Sequence, residues 1–365
     1  MFHDSPATGY ARLSPRQARL VLAAWVLMTC FCVGITLSPL ASGRADVGAR
    51  RGGDVALYRA EIDRIHAGQG YYQAAAAELR GRGYPTGSVF NWRFPTPFWL
   101  IGWMPDAAWG KALLGGLSLV LMLLAFETLA RDRQTIGRSV ACVGLLTGPL
   151  MFSFLSDLFV MPVLWAGVLI GLSICAYGMG RPRWGVALGL AAVFLRELAM
   201  PYCLVCAALA WWHGRRGEVW AWIVGLTVFA MCLGLHCWHV SGLIRPTDRL
   251  HAQGWVQFGG TPFVIATAQM NAYLLLLPQW ITAVYLVAAM FGFAGWNTPL
   301  GQRVGLTACL FVVAFAVAGH EFNQYWGSLM TPLLCFGAAR FRVSLRETWH
   351  AARWTRAWEG LRVAD

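Results

Sequence analysis

The segment Gly52-Gly53-Asp54-Val55-Ala56-Leu57-Tyr58 opens the longest polar stretch of the chain, which runs to Pro95 between apolar segments. A connection of a few residues is enough to join two helices, so a loop of this length is usually functional or disordered. Its many aromatic residues argue against disorder, because disordered segments are poor in them. We therefore expect the functional site in this loop.

The composition around this loop is that of a membrane protein. Of the 365 residues, 58% are hydrophobic and only 13% are charged, whereas about 25% of the residues of a soluble domain are charged. Helices satisfy their own backbone hydrogen bonds inside a bilayer. The predicted fold class is therefore an all-α polytopic membrane protein, with one transmembrane domain over residues 1–340.

The net charge of +12 comes almost entirely from arginine, since Lys111 is the only lysine. Such a charge on a soluble protein would suggest nucleic acid as a partner. Here the arginines lie between apolar runs, where cytoplasmic retention and anionic lipid headgroups account for them. We expect a lipid bilayer as partner and no nucleic acid. The ten cysteines lie mostly in apolar runs, where cysteine behaves as a small hydrophobe.

The apolar runs predict about ten transmembrane helices, because about 20 residues cross a bilayer. The predicted spans are 20–37, 110–130, 139–156, 158–178, 184–200, 201–213, 218–240, 272–294, 303–319 and 324–339. Short arginine-rich connections alternate with arginine-poor ones, which places both termini in the cytoplasm and the loop of residues 41–109 outside. That loop is itself arginine-rich, but long loops cross largely regardless of charge. The preference for arginine over lysine suggests a GC-rich bacterial genome and hence the bacterial cytoplasmic (inner) membrane.

Two further segments are expected at the membrane surface. Residues 94–109 contain closely spaced prolines and tryptophans, which are typical of an interfacial or re-entrant helix rather than a full span. Residues 341–365 combine arginines with tryptophans and leucines, which predicts an amphipathic basic tail on the cytoplasmic face.

This topology collects the unusual polar residues at the outer ends of the spans. They are Asp54, Arg93, Asp157, Arg196, Glu197, Arg249, His320, Glu321 and Asn323. Ionisable groups near membrane depth are costly and are usually functional. A helix cap would also account for Asp54 or Asp157, a local ion pair for Arg196 and Glu197, and a solvated turn for His320 and Glu321. No single residue therefore indicates a site; what indicates it is that all of these residues are predicted at the same end of the bundle.

The motifs of the long loop resemble the GT-C class of membrane glycosyltransferases, which includes the polyprenol-phosphate-mannose and aminoarabinose transferases. The similar motifs are Gly53-Asp54-Val55-Ala56-Leu57-Tyr58, Gly70-Tyr71-Tyr72, Gly83-Tyr84-Pro85 and Trp92-Arg93-Phe94-Pro95. Members of that class have a cytoplasmic amino terminus, one span, and then a large outer loop with an acidic residue near its start. The resemblance implies transfer of a sugar from a polyprenyl-phosphate donor to a glycan, lipid or protein.

The residue types suit this reaction. Sugar transfer needs a carboxylate to accept the proton of the attacking hydroxyl, and we expect Asp54 to be this general base. The departing phosphate needs cationic donors, and the planar guanidinium group of arginine binds two oxygens at once. Arg93 and Arg196 are the leading candidates, followed by Arg249.

The remaining candidates are polar or aromatic side chains that bind substrate. Hydroxyl groups of the sugar are expected to be oriented by Tyr58, His320 and Asn323, and Trp92 is expected to stack on a sugar face. Glu197 and Glu321 complete the predicted substrate-binding set.

The chain departs from the GT-C pattern in the acidic residues that could bind a metal ion. Many GT-C enzymes carry two close acids in this loop, in some cases for a metal ion. Here the acids nearest to Asp54 are Asp46 and Glu61, seven or more positions away. We therefore expect no cofactor; a divalent metal would have to recruit Asp157 or Glu321.

Three other functions fit the same composition. A transporter or flippase for a lipid-linked sugar or another amphipathic solute would use the same cavity. An O-antigen polymerase or ligase would be expected to carry its large loop late in the chain, and a structural subunit would not need the polar cluster.

Overall fold

The computed structural model describes residues 8–38, 53–250, 258–319 and 321–353, without the side chain of Glu321. These ranges contain fifteen α-helices and no strand. The helices are α1 (Pro15–Leu37), α2 (Gly53–His66), α3 (Tyr71–Gly81), α4 (Thr96–Gly102), α5 (Ala107–Arg131), α6 (Ile136–Leu150), α7 (Pro162–Gly178), α8 (Pro182–Leu195), α9 (Met200–Trp212), α10 (Arg216–Ser241), α11 (Gly260–Ala268), α12 (Ala272–Leu275), α13 (Gln279–Ala294), α14 (Pro299–Val317) and α15 (Thr331–Arg353).

Five of the described helices are long and apolar enough to cross a membrane: α1, α5, α6 with its final 3₁₀ turn, α10 and α14. Four shorter apolar helices, α7, α8, α9 and α13, pack among them. Because whole helical faces of these segments are apolar, the chain is a helical, membrane-embedded protein. Each predicted span has a counterpart helix, while the number of crossings, about ten, stays a prediction.

Three boundaries differ from the sequence-based prediction. The run 272–294 is divided into α12 and α13 at Pro278, since proline has no N–H for the helix ladder. The last run begins with a 3₁₀ segment, Glu321–Leu329, before α15. The connection before residue 272 contains the short helix α11, which is largely buried.

The long loop is folded into three helices, α2, α3 and α4, which we call the loop helices. Buried side chains join them, and the ring centroids of Tyr58 and Phe98 are 5.3 Å apart at right-angled geometry. Residues 94–109 form only the short α4 before α5 begins, and Trp103 and Trp109 are exposed there. An exposed pair of tryptophans next to a short helix agrees with the interfacial segment that the sequence predicts.

Contacts from distant parts of the chain place four connections beside the loop helices, at what we call the loop end. Asp157, between α6 and α7, lies 3.5 Å from Arg59 of α2. Asp248, after α10, forms an ion pair at 3.0 Å with Arg80 of α3. The α8–α9 and α14–α15 connections reach the same end through the site described below. The polar residues therefore share one end of the bundle, as the sequence predicts.

The described ends of the chain meet at the opposite end. The backbone N–H of Thr8 donates to Oε2 of Glu347 at 2.7 Å, and Arg19 donates to the carbonyl of Ala352 at 3.1 Å. Arg340 donates to Gln134 there, and its guanidinium lies 4.7 Å from the centre of the Trp296 ring. The two described ends of the chain thus lie together, opposite the loop end.

Helix α15 is continuous from Thr331 to Arg353. The predicted boundary between the transmembrane domain and the basic tail, at residue 340, therefore falls inside a helix. A close backbone approach fixes the helix against α13, since a Cβ at Gly292 would overlap the carbonyl of Gly337. Small residues allow such approaches between membrane helices. Residues 354–365 of the predicted tail lie outside the described part.

Candidate functional site

A small cleft, partly open to solvent, lies at the loop end between the loop helices and the 3₁₀ segment Glu321–Leu329. It is lined by Asp54, Leu57, Tyr58, Glu61, Leu79, Tyr84, Pro85, Asn91, Arg93, Phe322, Asn323 and Tyr325. Four of the predicted site residues, Asp54, Tyr58, Arg93 and Asn323, are among them. The cleft is therefore the candidate active site.

Asp54 lies in the first turn of α2, and its carboxylate is held by two tyrosines. Tyr84 donates its hydroxyl to Oδ1 at 3.0 Å, and Tyr325 donates to Oδ2 at 3.0 Å. Gly53 allows this geometry, because its φ of +64° lies in the left-handed region that favours glycine. The two bonds fix the orientation of the carboxylate.

Arg93 lines the same cleft as Asp54. Its Nε donates to the hydroxyl of Tyr58 at 2.9 Å, and its Nη1 donates to the carbonyl of Phe90. Burial raises the pKa of Tyr58 well above the usual value, so the phenol stays neutral beside the guanidinium. The bond from Nε uses one edge of the guanidinium, so a ligand would be met by the donors of Nη1 and Nη2.

Arg196 and Glu197 adjoin the cleft, at a break between α8 and α9. The backbone is extended at Arg196 (φ −150°, ψ 114°), and α9 begins only at Met200. Nη1 of Arg196 lies 2.9 Å from Oε1 of Glu197, so the local ion pair that the sequence suggested is present. Arg196 is nevertheless close enough to Tyr58 and Tyr325 to interact with them electrostatically.

Three of the buried side chains that have a polar atom without a partner in the described part of the chain lie in or beside the cleft. Glu61 is 2% exposed and its Oε2 accepts no hydrogen bond there. Asn323 is 1% exposed and its Nδ2 donates none, and Nε of Arg196 is likewise unused. Leaving a buried polar group unpaired costs about 1–3 kcal/mol. A polar ligand in the cleft would recover part of this cost.

Besides Arg196 and Glu197, two more predicted residues lie outside the lining of the cleft. Trp92 is buried, donates from Nε1 to the carbonyl of Thr86 at 3.2 Å, and lies 5.9 Å below the guanidinium of Arg80. Arg249 is exposed, and its carbonyl accepts from the N–H of Gly87. The structure therefore does not bring these two side chains to Asp54. His320 and the side chain of Glu321 lie outside the described part.

Eight lining residues were not predicted as site residues, and three of them carry an acidic or phenolic group: Glu61, Tyr84 and Tyr325. Glu61 follows Asp54 by seven positions, which places both on one face of α2, since seven residues make about two helical turns. This spacing in the sequence could therefore have identified Glu61 as a site residue. Tyr84 and Tyr325 had no comparable signal, because only the folded chain shows that both point at Asp54.

No group of three or more His, Cys, Asp or Glu side chains is arranged for a metal ion within the described ranges. The cleft offers a carboxylate oriented to accept a proton, a guanidinium facing it, and unpaired amide and carboxyl groups beside them. This combination can bind an anionic, hydroxyl-bearing ligand and deprotonate a hydroxyl.

The chain has no match that would assign a family. No family model matches it, and no curated protein and no solved structure is significantly similar to it.

Proposed function

We propose that this protein transfers a sugar from a polyprenyl-phosphate donor to a hydroxyl group of a glycan, lipid or protein acceptor. The reaction takes place at the extracytoplasmic face of a bacterial cytoplasmic membrane. The observation that carries the proposal is that Asp54 and Arg93 face one cleft at the loop end of a membrane-embedded helical bundle.

The reaction forms one bond and breaks one bond at the anomeric carbon of the sugar. The acceptor oxygen bonds to that carbon while the bond to the phosphate oxygen breaks, and the polyprenyl phosphate leaves with the electron pair. Asp54 takes the proton of the acceptor hydroxyl. The hydrogen bonds from Tyr84 and Tyr325 hold its carboxylate in place before the acceptor binds.

The negative charge that develops on the phosphate is met by arginine. Arg93 faces the cleft, and Arg196 is buried at its edge with Nε unused in the described part. Planar guanidinium groups bind two phosphate oxygens at once, and they do so more strongly in a partly buried site than in water. Tyr58 and Asn323 contact the sugar hydroxyls, and the exposed Trp103 and Trp109 lie where the isoprenoid chain meets the bilayer.

The chain crosses the membrane about ten times with both termini in the cytoplasm. Thr8 and Glu347 are hydrogen-bonded at the end of the bundle opposite the cleft, which agrees with an even number of crossings. In this topology the short arginine-rich connections lie on the cytoplasmic side, as the positive-inside rule favours, and the arginines of the long outer loop are compatible with it because long loops cross largely regardless of charge.

A transporter or flippase for a lipid-linked sugar is the second candidate. The observation that favours it is the break between α8 and α9 at Arg196, because transporters often bind substrates at interrupted helices. Sugar transfer explains more features of the cleft than transport does, since transport does not require a carboxylate oriented by two tyrosines.

The test uses membranes that contain the wild-type protein, Asp54→Asn or Asp63→Asn at matched levels. Asp63 is a matched control because it lies on the same helix with an exposed side chain paired to Arg59. A panel of radiolabelled polyprenyl-phosphate sugars is added, and transfer of label from the lipid phosphate is followed.

Transfer by the wild type and Asp63→Asn, with loss of at least a hundredfold in Asp54→Asn, would support both the reaction and the base. Equal transfer by all three proteins would show that Asp54 is not the base. Flipping of a labelled lipid across vesicles without transfer would favour the transporter.

A further inference from the structure

Glu61 is a second carboxyl group in the cleft, and the proposed reaction does not use it. It lies two turns after Asp54 on α2, and both side chains line the same cleft. A glutamate is almost never fully buried without a partner, yet Glu61 is 2% exposed and its Oε2 accepts no hydrogen bond within the described residues.

The groups around Glu61 do not neutralise it by direct pairing. Its charged neighbours are Arg93 from the segment after α3, Glu78 and Arg82 from α3, and Asp54 from its own helix. Glu78 is itself paired with Arg64 at 2.5 Å and with Arg82 at 2.9 Å. Arg93 uses its Nε for Tyr58. Arg82 is therefore engaged elsewhere, and no ion pair joins Arg93 to Glu61 among the described residues.

Packing alone does not explain a glutamate at this position. The neighbouring buried residues on α2, Leu57, Ile62 and Ile65, are apolar, and an apolar residue would avoid the cost of an unpaired carboxyl group. Asn323 lies across the cleft with its Nδ2 also unused in the described part. Two unpaired, buried polar groups on opposite walls of one cleft point to a ligand between them.

We propose that Glu61 binds the ligand of this cleft directly, through a hydrogen bond from its carboxyl group to a hydroxyl of the sugar headgroup. This inference rests on the proposed function for the class of ligand. Asp54 then acts on the acceptor hydroxyl, while Glu61 and Asn323 hold the sugar from two sides.

The protonation state of Glu61 fits such a contact. Burial raises the pKa of its carboxyl group to about 8, with Glu78 and Asp54 adding to the effect and Arg93 opposing it. A neutral carboxyl group both donates and accepts, so it can pair with a hydroxyl in either direction. Glutamine shares this property with nearly the same shape, whereas leucine has neither a donor nor an acceptor.

The experiment compares the wild type, Glu61→Gln and Glu61→Leu, with Asp63→Leu as a control. Asp63→Leu replaces an exposed acid on the same helix. Each full-length protein is purified in detergent, and its Tm shows whether it is folded. Binding is measured as the rise in Tm with each member of a panel of polyprenyl-phosphate sugars. Transfer is measured from pH 6 to 9.5 with the productive donor.

We expect Glu61→Gln to keep binding and transfer within about threefold of the wild type, and Glu61→Leu to lose at least tenfold in both. The loss expected for Glu61→Leu corresponds to about 1.4 kcal/mol or more. Transfer by the wild type should fall above pH 8, as Glu61 ionises, and Glu61→Gln should lack this alkaline decline. A purely packing role would not produce a difference in the pH profile.

The outcomes separate this inference from the proposed function. If Glu61→Leu binds and transfers like the wild type, the inference is overturned while the function stands. If no donor is transferred but Glu61→Leu loses the rise in Tm, the function fails and Glu61 remains a ligand-binding residue. If no member of the panel raises the Tm of the wild type, both are overturned.

Discussion

Tyr325 and Asp54 are hydrogen-bonded at 3.0 Å across 271 positions of the sequence. The bond joins the first loop helix to the connection between α14 and α15. The other carboxylate oxygen is held by Tyr84, from the segment after α3. The candidate base is therefore positioned by both ends of the transmembrane domain, and the cleft exists only when the whole domain has assembled.

Replacing Tyr325 by phenylalanine should lower kcat of sugar transfer about tenfold with little change in Tm. A hydrogen bond to a charged group contributes about 1.5–3 kcal/mol, and Tyr84 would still hold one oxygen. The double change Tyr84→Phe and Tyr325→Phe should cost more than the sum of the single changes, because the carboxylate would then lose both donors. Initial rates of transfer with saturating donor measure the loss of kcat in each variant.

The control is Tyr285→Phe, which removes a hydroxyl that donates to Cys335 rather than to Asp54. An equal loss of activity in the control would show that hydroxyl removal acts through stability and not through the orientation of Asp54.

Arg93→Lys should weaken binding of polyprenyl phosphate about tenfold or more, although the charge is kept. Lysine has no planar fork, so it cannot bind two phosphate oxygens while also reaching Tyr58. The rise in Tm with increasing polyprenyl phosphate gives the affinity. Arg216→Lys, at an exposed position of the opposite end, serves as the control and should bind like the wild type.

The stability of the wild type should decrease between about pH 5 and pH 8, and Glu61→Gln should remove this part of the decrease. The pKa of Glu61 is raised from 4.5 to about 8 in the folded protein. The folded state therefore binds more protons than the unfolded state in this window, so stability is present below pH 4.5 and is lost as the pH rises. Melting in detergent across this range measures the effect.

For this test the difference in Tm between Glu61→Gln and the wild type should grow with pH. A constant difference would contradict a raised pKa, whatever the ligand-binding role of Glu61.

Gly327→Ala should destabilise the protein by about 1–3 kcal/mol and displace Tyr325. A Cβ at Gly327 would overlap the backbone of Thr267 in α11, so the connection that carries Tyr325 and Asn323 would have to move. Both Tm and transfer should fall. Gly234→Ala is the matched control, since a Cβ there meets nothing within 4 Å and alanine favours the helix.

The overall arrangement of helices was predictable because apolar runs and arginine-rich connections are local signals. Every span predicted from these signals has a counterpart helix, and Asp157, predicted at the outer end of a span, lies 3.5 Å from Arg59 of the long loop. The short helix α11 was missed because its run of nine residues is too short to stand out in a long connection.

The site was predictable only in part. Asp54, Tyr58 and Arg93 follow from the polar composition of one loop, whereas Tyr325 reaches the cleft through tertiary packing that no spacing encodes. Trp92 was expected to face a sugar, yet it is buried and its indole N–H donates to the carbonyl of Thr86. Sequence alone shows that a tryptophan is present, and the packing of the loop helices decides which way it faces.

Helix α2 sets a fixed distance between the two acids of the cleft. With a rise of about 1.5 Å per residue, Asp54 and Glu61 are about 10 Å apart along the helix axis, roughly the length of one or two sugar rings. A one-residue insertion between them would rotate Glu61 by about 100° and turn it away from the cleft, while leaving both acids in the protein. In the proposed site, the helix therefore fixes how far apart two groups of one ligand must be for Asp54 and Glu61 to contact both.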